Sequence, residues 1–261
     1  MRVLAVGDVS GEDGTRFLQK TLPPYKRVAG VDFCIVNGEN SNRGNGITPD
    51  SMRDIFAAGA DVITTGNHAF HRREMYDTFD SSEFVLRPAN FPEAVPGRGW
   101  CIIDKGRYQV GVINLMGTVY MEPLGNPFQC VDSILKKMEN CKVILLDFHA
   151  EAPSEKRAMG FYLDGKVSAV YGTHTHVQTA DEQILPKGTG NKTDIGMTGP
   201  VQSVLGVSPD IIIQKLRTNL PVRFDLMRGG EQMLNGCLFD IDEHAGRTTA
   251  VARVRLTCKP R

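Results

Sequence analysis

Metal-binding side chains follow five short apolar segments of the sequence, at the points where those segments end. Acidic, amide and imidazole groups recur there, and a glycine precedes most of them. The five motifs are Gly7-Asp8, Asn37-Gly38-Glu39-Asn40, Gly66-Asn67-His68, His149-Ala150-Glu151 and Gly172-Thr173-His174-Thr175-His176. Five of the six histidines lie in or beside these motifs, which random placement would rarely produce. The pattern predicts that groups distant in the sequence meet at one metal centre.

The predicted metal ligands are three imidazoles, two amides and two carboxylates, without a thiolate. They are Asp8, Glu39, Asn40, Asn67, His149, His174 and His176. Nitrogen and oxygen donors of this kind favour Fe, Mn, Zn or Co over Mg²⁺ or Ca²⁺. Taken alone, each residue also has an ordinary interpretation as a turn residue, a cap or a buried histidine. Only the complete set indicates a metal site.

The apolar segments themselves predict the strands that position these groups. Residues 2–7, 32–37, 61–65, 143–148 and 167–171 have the composition of buried β-strands. Helical patterns between them indicate a largely parallel sheet, and an α/β protein places its site at the carboxyl edge of such a sheet. Helices are predicted over residues 15–26, 49–58, 127–140, 153–163 and 209–218.

Local signals refine several of these elements. Pro23-Pro24 predicts a break in the first helix, and Thr48 is the expected N-cap of the second. His71 is expected on the helix after the third motif, partly exposed, and Glu151 is expected to cap the helix near Pro153. Both residues are therefore left outside the predicted site.

The remaining segments predict antiparallel structure. Residues 100–103 and 109–114 indicate a hairpin, and residues 221–227, 232–241 and 248–256 indicate a meander that forms or extends a second sheet. We expect one domain over residues 1–261. The long loops 87–98, 117–127 and 187–207 either wall a substrate pocket or only connect the sheets.

Charge and composition limit the classes of partner. Thirty basic residues balance thirty acidic ones, so no broad basic face attracts nucleic acid or an anionic membrane. The N-terminal apolar run, about five residues long, is too short for a signal peptide or a membrane span. Six scattered cysteines without a Cys-x-x-Cys motif indicate reduced thiols and a cytoplasmic protein. A homo-oligomer is compatible with the sequence.

The motif set resembles that of the calcineurin-like metallophosphoesterases, and more narrowly their bacterial YmdB-like branch. Residues 86–92, 176–181 and 194–200 match as well, and the resemblance extends to about Asp242. The broader superfamily usually has a histidine where this chain has Ser10, and bridges its metals with aspartate where this chain has Glu39. Both departures fit the narrower branch.

The resemblance implies a four-layer α/β/β/α sandwich with two divalent or trivalent transition-metal ions, iron first, with manganese or zinc as alternatives. One ion would take Asp8, Glu39, Asn40 and His176; the other would take Glu39, Asn67, His149 and His174, so that Glu39 bridges them. His68 would be the proton donor. The implied activity is hydrolysis of phosphodiesters, including cyclic nucleotides.

Side-chain chemistry supports the same reaction. Two metals about 3.5–4 Å apart lower the pKa of a bridging water and polarise phosphoryl oxygens, so that hydroxide attacks phosphorus. His68, beside the predicted ligand Asn67, is suited to protonate the leaving oxygen. We expect a small phosphodiester substrate, such as a 2′,3′- or 3′,5′-cyclic nucleotide. A phosphomonoesterase or nucleotidase, and a nucleotide-binding regulator with little turnover, are the alternatives.

Overall fold

Two β-sheets face each other in the computed structural model, which describes residues 1–43 and 45–258. Gly44 and residues 259–261, which the predicted domain includes, lie outside the described residues. The strands are β1 (Arg2–Val6), β2 (Asp8–Val9), β3 (Phe33–Asn37), β4 (Val62–Thr64), β5 (Val85–Leu86), β6 (Trp100–Asp104), β7 (Gln109–Met116), β8 (Val143–His149), β9 (Ala169–Thr173), β10 (Gln183–Ile184), β11 (Gly190–Lys192), β12 (Met197–Pro200), β13 (Gln232–Asp242) and β14 (Arg247–Cys258).

Six α-helices accompany the sheets in the described part of the chain. They are α1 (Gly11–Ala29), α2 (Pro49–Ala57), α3 (Tyr76–Ser81), α4 (Pro127–Leu135), α5 (Pro153–Tyr162) and α6 (Pro209–Thr218), with a short 3₁₀ turn at Arg73–Met75. None of them combines the length and the apolar character that crossing a bilayer requires.

The first sheet has the order β2-β12-β13-β1-β3-β4-β5, with β14 on the other edge of β13. Its strands β1, β3, β4 and β5 are parallel, and β13 runs antiparallel to β1, β12 and β14. The second sheet has the order β10-β11-β9-β8-β7-β6, with a parallel centre formed by β7, β8, β9 and β11.

Three apolar clusters separate four layers. Helices α1, α2 and α3 cover the outer face of the first sheet, the two sheets pack against each other, and α4 and α5 cover the second sheet. Strand β1 shows the reason: Leu4 and Val6 face the helices, while Val3 and Ala5 face the other sheet. A strand buried on both faces has no polar alternation. The predicted α/β/β/α sandwich is confirmed.

The sequence pattern suggested that the five apolar segments form one sheet. In the structure they are divided between two sheets. β1, β3 and β4 belong to the first sheet, and β8 and β9 to the second. Strands buried on both faces look alike in either sheet, so hydrophobicity does not reveal which strands pair. The predicted meander is also reassigned, because β13 and β14 extend the first sheet and do not form a second one.

The predicted break at Pro23-Pro24 is wrong. Helix α1 begins at Gly11 and runs through both prolines to Ala29, where Gly30 ends it in a left-handed conformation with φ 65°. Each proline leaves the carbonyl four residues earlier without its helical donor. Those carbonyls belong to Gln19, which is half-buried, and Lys20, which is exposed, so water can satisfy them.

The other helices and the hairpin agree better with the sequence. Thr48 caps α2 as predicted, accepting a hydrogen bond from the backbone N–H of Ser51 at 3.2 Å. α4 ends at Leu135, five residues before the predicted end, whereas α5 and α6 match within a residue. β6 and β7 form the predicted hairpin.

The predicted strand at residues 221–227 is wrong. In this segment the structure has one isolated bridge, between Val207 and Leu226. Both edges of β13 are already occupied, one by β1 and β12 and the other by β14. The segment therefore has no edge of β13 to join and lies over the end of the sandwich.

Candidate metal centre

The carboxyl ends of strands from both sheets meet at one end of the sandwich. β3 leads into Glu39, β8 ends at His149, and the segment after β9 carries His174. Ligand atoms of these three residues lie within 4.8 Å of one another, so they could hold a metal ion. Side chains separated by up to 135 positions in the sequence thus converge, as the motif pattern predicted.

His149 is the centre of this cluster and has no exposed surface. Its Nε2 atom lies 3.1 Å from Oε1 of Glu39, 3.0 Å from Oδ1 of Asn67 and 3.1 Å from Nδ1 of His174. The contact is possible because Gly66 lies beside the ring: a Cβ there would be 2.2 Å from it. Glycine at this position is therefore a packing requirement of the site.

The opposite nitrogen of His149 is held by a buried relay. Nδ1 lies 2.9 Å from Oγ1 of Thr173, and that hydroxyl donates its hydrogen to Oδ1 of Asp147 at 2.7 Å. Since the hydroxyl has only one hydrogen, it must accept from His149. Nδ1 therefore carries a proton, and Nε2 is the nitrogen left to face the cluster. Asp147 also accepts from Thr64 of the first sheet, so the relay joins both sheets.

The atoms around Nε2 are electron-rich and need a cation or a proton between them. Burial lowers the pKa of His149, but the charges of Glu39 and Asp8 outweigh it and raise that pKa to about 9. Burial likewise disfavours ionised Glu39, yet His149 and His68 hold its pKa at about 2. Without metal, a proton occupies the centre of the cluster. A transition-metal ion fits the same position and donor set.

Asp8 supplies a second indication of a cation site. It is fully buried at the start of β2, and its Oδ1 atom has no hydrogen-bond partner among the described residues. Oδ1 lies 3.7 Å from Nε2 of His176, while Oδ2 accepts the backbone N–H of His174 at 3.2 Å. Burial raises the pKa of Asp8, ahead of the opposing effect of His176. Since buried charges in proteins are either paired or bound to a metal, this unpaired oxygen fits a metal ligand.

His174 and His176 lie on a strained segment. Both have left-handed backbone conformations, with φ of 97° and 63°. Between them, Thr175 donates its backbone N–H and its hydroxyl to Oδ2 of the buried Asp194, at 3.1 and 2.7 Å. Asp194 in turn pairs with buried Lys156 at 2.7 Å. This anchor stabilises a conformation that costs about 1–3 kcal/mol for each non-glycine residue.

His176 is oriented by a carbonyl group. Its Nδ1 lies 3.0 Å from the carbonyl oxygen of Leu205, which can only accept, so Nδ1 carries the hydrogen. Nε2 then faces Asp8 and the amide of Asn40, which is 3.3 Å away. His149 and His176 therefore present the same nitrogen to the interior.

Asn40 and His68 contact each other at the edge of the cluster. Oδ1 of Asn40 lies 2.7 Å from Nδ1 of His68, and Nδ2 faces Glu39 and His176. As a metal ligand, Asn40 would present its oxygen, which requires a half-turn of the amide. Burial lowers the pKa of His68 more strongly than the charge of Glu39 raises it. His68 also lines the cavity beside the cluster.

The structure thus brings all seven predicted ligands and His68 into one cluster, and their roles stay predictions. Glu151 was missed: it lies 3.1 Å from Nε2 of His174 and caps no helix, because Ala152 is the N-cap of α5. Its position two residues after His149 was the available signal. His71 lies in an exposed bend, not on the predicted helix, with its ring 4.5 Å from that of His68.

A cavity of about 690 Å³ opens over the cluster. One wall is polar and includes His68, His174 and His176. The apolar part of the lining is formed by Val177, Leu205, Val207, Phe224 and Leu226. Of the three loops proposed as pocket walls, only 187–207 contributes residues to this cavity. The segment 221–227, which the sequence pattern had assigned to a strand, contributes Phe224 and Leu226.

Comparison with known proteins assigns the family. The model of the YmdB-like protein family matches residues 4–254. The chain belongs to this family. This agrees with the resemblance of its motifs to the YmdB-like branch of the metallophosphoesterases.

YmdB-like relatives match this chain over nearly its whole length. A 2′,3′-cyclic-nucleotide 2′-phosphodiesterase of Bacillus subtilis (strain 168) is 43% identical over 97% of this chain and 96% of its own. A hypothetical protein from Thermus thermophilus is 38% identical, with a TM-score of 0.93 over 100% of both chains. A novel phosphatase from Mycoplasma pneumoniae is 30% identical, with a TM-score of 0.93 over 98% of this chain and 93% of that one.

Proposed function

We propose that this chain is a metal-dependent phosphodiesterase that hydrolyses nucleoside cyclic phosphates, 2′,3′-cyclic ones foremost. The observation that carries the proposal is the cluster around Nε2 of His149, where a carboxylate, an amide and a second imidazole lie within 3.1 Å. The activity of the Bacillus subtilis relative supports the substrate class. The half-apolar cavity is suited to a nucleoside beside a phosphate.

The residues would hold two transition-metal ions. Glu39 contacts His149 directly, and its Oε1 accepts from Nδ2 of Asn40, which also faces His176, and this supports its role as the shared ligand. Asn67 would complete one site and Asn40 the other. Iron is our first choice, with manganese or zinc as alternatives, because imidazole and carboxylate donors suit all three. When bound, such ions acidify water and neutralise charge on phosphoryl oxygens.

The chain's own groups then orient the substrate and move one proton. Water adds to phosphorus as hydroxide, the bond from phosphorus to O2′ breaks, and His68 gives a proton to the departing O2′. The proton that water loses returns to His68. The product is a 3′-phosphomonoester with a free 2′-hydroxyl. Asn40 contacts Nδ1 of His68 in this structure. With its amide turned so that Oδ1 faces a metal, Nδ2 would lie at the same ring atom, and in both arrangements Nε2 is the ring nitrogen left for the substrate. Help from such a general acid is worth about 10²–10⁴-fold.

A phosphomonoesterase is the second candidate, since the Mycoplasma pneumoniae relative is described as a phosphatase. The metal ligands would be the same in both reactions. A nucleotide-binding regulator with little turnover is less well supported, because His68 lies beside a full ligand set. A cytoplasmic location is part of the proposal and is supported by six cysteines, all of them free.

Metal analysis coupled to a substrate panel tests the proposal. Gently purified protein should contain about two transition-metal ions per chain. It should hydrolyse 2′,3′-cyclic AMP faster than 3′-AMP or an aryl monophosphate, with 3′,5′-cyclic AMP measured alongside. Faster hydrolysis of the monoesters would favour the phosphatase, and tight binding of cyclic nucleotide without turnover would favour the regulator.

The matched variants His68→Ala and His71→Ala test the proton donor. His68→Ala should lower turnover by about 10²–10⁴-fold while the metal content persists. His71→Ala removes the neighbouring exposed ring and should leave turnover within a few-fold of the original. Loss of both metals from His68→Ala would show that His68 is a ligand.

A further inference from the structure

A second cavity adjoins the metal centre. It measures about 1050 Å³ and shares Ser10, Phe224 and Leu226 with the cavity over the cluster. The two cavities are therefore direct neighbours, and the metal centre lies beside one of them. A mononucleotide is far smaller than the combined space, so the second cavity is available to another part of a longer substrate.

The second cavity is rich in arginine. Five guanidinium groups line it, from Arg16, Arg43, Arg72, Arg223 and Arg228, against three carboxylates, from Glu12, Asp13 and Asp225. The lining thus carries an excess of two positive charges, although the whole chain is neutral. We call this region the arginine pocket.

Two of the five arginines are neutralised within the pocket. Arg16 pairs with Asp13, and Arg228 lies 3.8 Å from Asp225. Arg72 donates from Nε to the carbonyl oxygen of Asn45 at 2.9 Å, which fixes its guanidinium group. The arginine pocket therefore keeps positive charge that its own acids do not cancel.

Arg43 and Arg223 are the guanidinium groups most available to a ligand. Both side chains are exposed, and within residues 1–43 and 45–258 neither forms an ion pair or a side-chain hydrogen bond. Guanidinium binds phosphate oxygens through two parallel hydrogen bonds, which makes phosphate the ligand class that the pocket fits.

An aromatic ring lies where the two cavities meet. Phe224 is 50% exposed, lines both cavities and directly follows Arg223 in the chain. Alternating guanidinium groups and exposed rings are how proteins hold single-stranded nucleic acid, with phosphates on the charges and bases on the rings. Stacking on such a ring contributes about 1–3 kcal/mol per base.

We propose that the substrate is an oligoribonucleotide whose 3′ end carries a 2′,3′-cyclic phosphate, and that the arginine pocket binds its upstream phosphates. The inference rests on the proposed function, because the cyclic phosphate must reach the metal centre. A 2′,3′-cyclic phosphate requires a 2′-oxygen, so the substrate is RNA and not DNA. Water opens the terminal ring, the bond from phosphorus to O2′ breaks, and the oligonucleotide keeps its length and gains a 3′-phosphate.

A comparison of three substrates tests this proposal. They are 2′,3′-cyclic AMP, the same nucleotide with a 5′-phosphate, and a tetra-adenylate ending in a 2′,3′-cyclic phosphate. The original protein should show a kcat/KM at least tenfold higher for the tetra-adenylate than for 2′,3′-cyclic AMP. The double variant Arg43→Ala/Arg223→Ala should bring this ratio close to one.

A matched double variant controls for net charge. Arg27→Ala/Arg107→Ala also removes two exposed arginines, one in the last turn of α1 and one in the β6–β7 turn, both at the opposite end of the sandwich. It should leave the substrate ratio unchanged. Binding of tetra-adenylate 3′-phosphate to the original protein should weaken with salt, and the slope should fall by about 1.4 in the Arg43/Arg223 variant, about 0.7 per lost phosphate contact.

The outcomes separate this inference from the proposed function. Equal kcat/KM for 2′,3′-cyclic AMP and the tetra-adenylate, or an equal change in both double variants, overturns the oligonucleotide while the phosphodiesterase stands. The oligonucleotide is also overturned if the 5′-phosphorylated mononucleotide shows the same rise in kcat/KM as the tetra-adenylate, because a single 5′-phosphate then accounts for the whole preference. If the protein hydrolyses none of the cyclic substrates, the proposed function is overturned. The salt dependence of tetra-adenylate 3′-phosphate binding then still tests whether the arginine pocket binds phosphates.

Discussion

The two walls of the candidate active site are built in opposite ways. The inner wall consists of strand ends from both sheets, and Asp8, Glu39 and His149 are each at most 1% exposed. The outer wall comes from the segment 201–227, in which Leu205 and Phe224 are about half exposed and α6 has no buried residue. Both walls face the same cavity.

The outer wall is held by a few backbone hydrogen bonds. Val204 and Val207 bond to each other, Ser208 donates to the carbonyl of Asp225 at 3.2 Å, and Met227 donates to that of Gly206 at 2.8 Å. The inner wall is instead held by the buried hydrogen bonds beneath His149, which run through Thr173 to Asp147. The difference indicates a division of labour: the buried inner wall would hold the predicted metal ligands in place, whereas the exposed outer wall would cover a substrate and can change more freely.

The largest expected effect belongs to Glu39, the carboxylate nearest to both His149 and His68. Glu39→Gln should reduce the bound metal and lower turnover by about a thousandfold, equivalent to roughly 4 kcal/mol. Elemental analysis and steady-state kinetics measure both quantities. Glu151→Gln is the control, since this half-exposed residue touches only the outer nitrogen of His174, and it should cost less than about tenfold. If both variants lost metal and turnover to the same extent, the buried and exposed carboxylates would not differ in function.

The pH dependence of metal binding tests the inner wall more directly. The pKa of His149 is raised to about 9, so at pH 7 a proton occupies the position of the metal. Raising the pH removes that competitor, so the affinity of the metal-free protein for Mn²⁺ should increase about tenfold per pH unit from about 7 to 9 and then level off. Calorimetric titrations at several pH values measure it. An affinity independent of pH in this range would contradict the protonated cluster.

The relay beneath His149 is expected to have a smaller effect. Thr173→Val removes the hydroxyl that accepts from Nδ1 but keeps the shape, and it should weaken metal binding by about 10–100-fold. Thr173→Ser restores the hydroxyl and should recover most of that affinity. Thermal unfolding of the metal-free proteins separates this effect from a general loss of stability. A Thr173→Ser variant as weak as Thr173→Val would mean that packing, and not the hydrogen bond, matters here.

The contrast between the buried inner wall and the exposed outer wall also explains which parts of the site could be predicted from the sequence. Asp8, Glu39 and His149 were recognisable because each follows an apolar strand, and strand ends of an α/β fold meet at one edge. Pairing between strands was not recognisable, because β3 and β8 have the same buried pattern although they lie in different sheets. Phe224 was assigned to a strand, since its alternating neighbours look β-like and only the occupied edges of β13 exclude it.

The smallest expected effect belongs to the outer wall. Phe224→Ala should raise KM for 2′,3′-cyclic AMP by about fivefold, or roughly 1 kcal/mol, because the exposed ring on which we propose that a base stacks is lost. Metal content should be unchanged, because Phe224 lines the cavity but is not one of the predicted ligands. Leu216→Ala is the control: this side chain in α6 is 72% exposed and does not line the cavity, so KM should stay the same. If Phe224→Ala lost metal, the two walls would be coupled, and the strained His174–His176 segment, which bonds to Leu205, would be the connection.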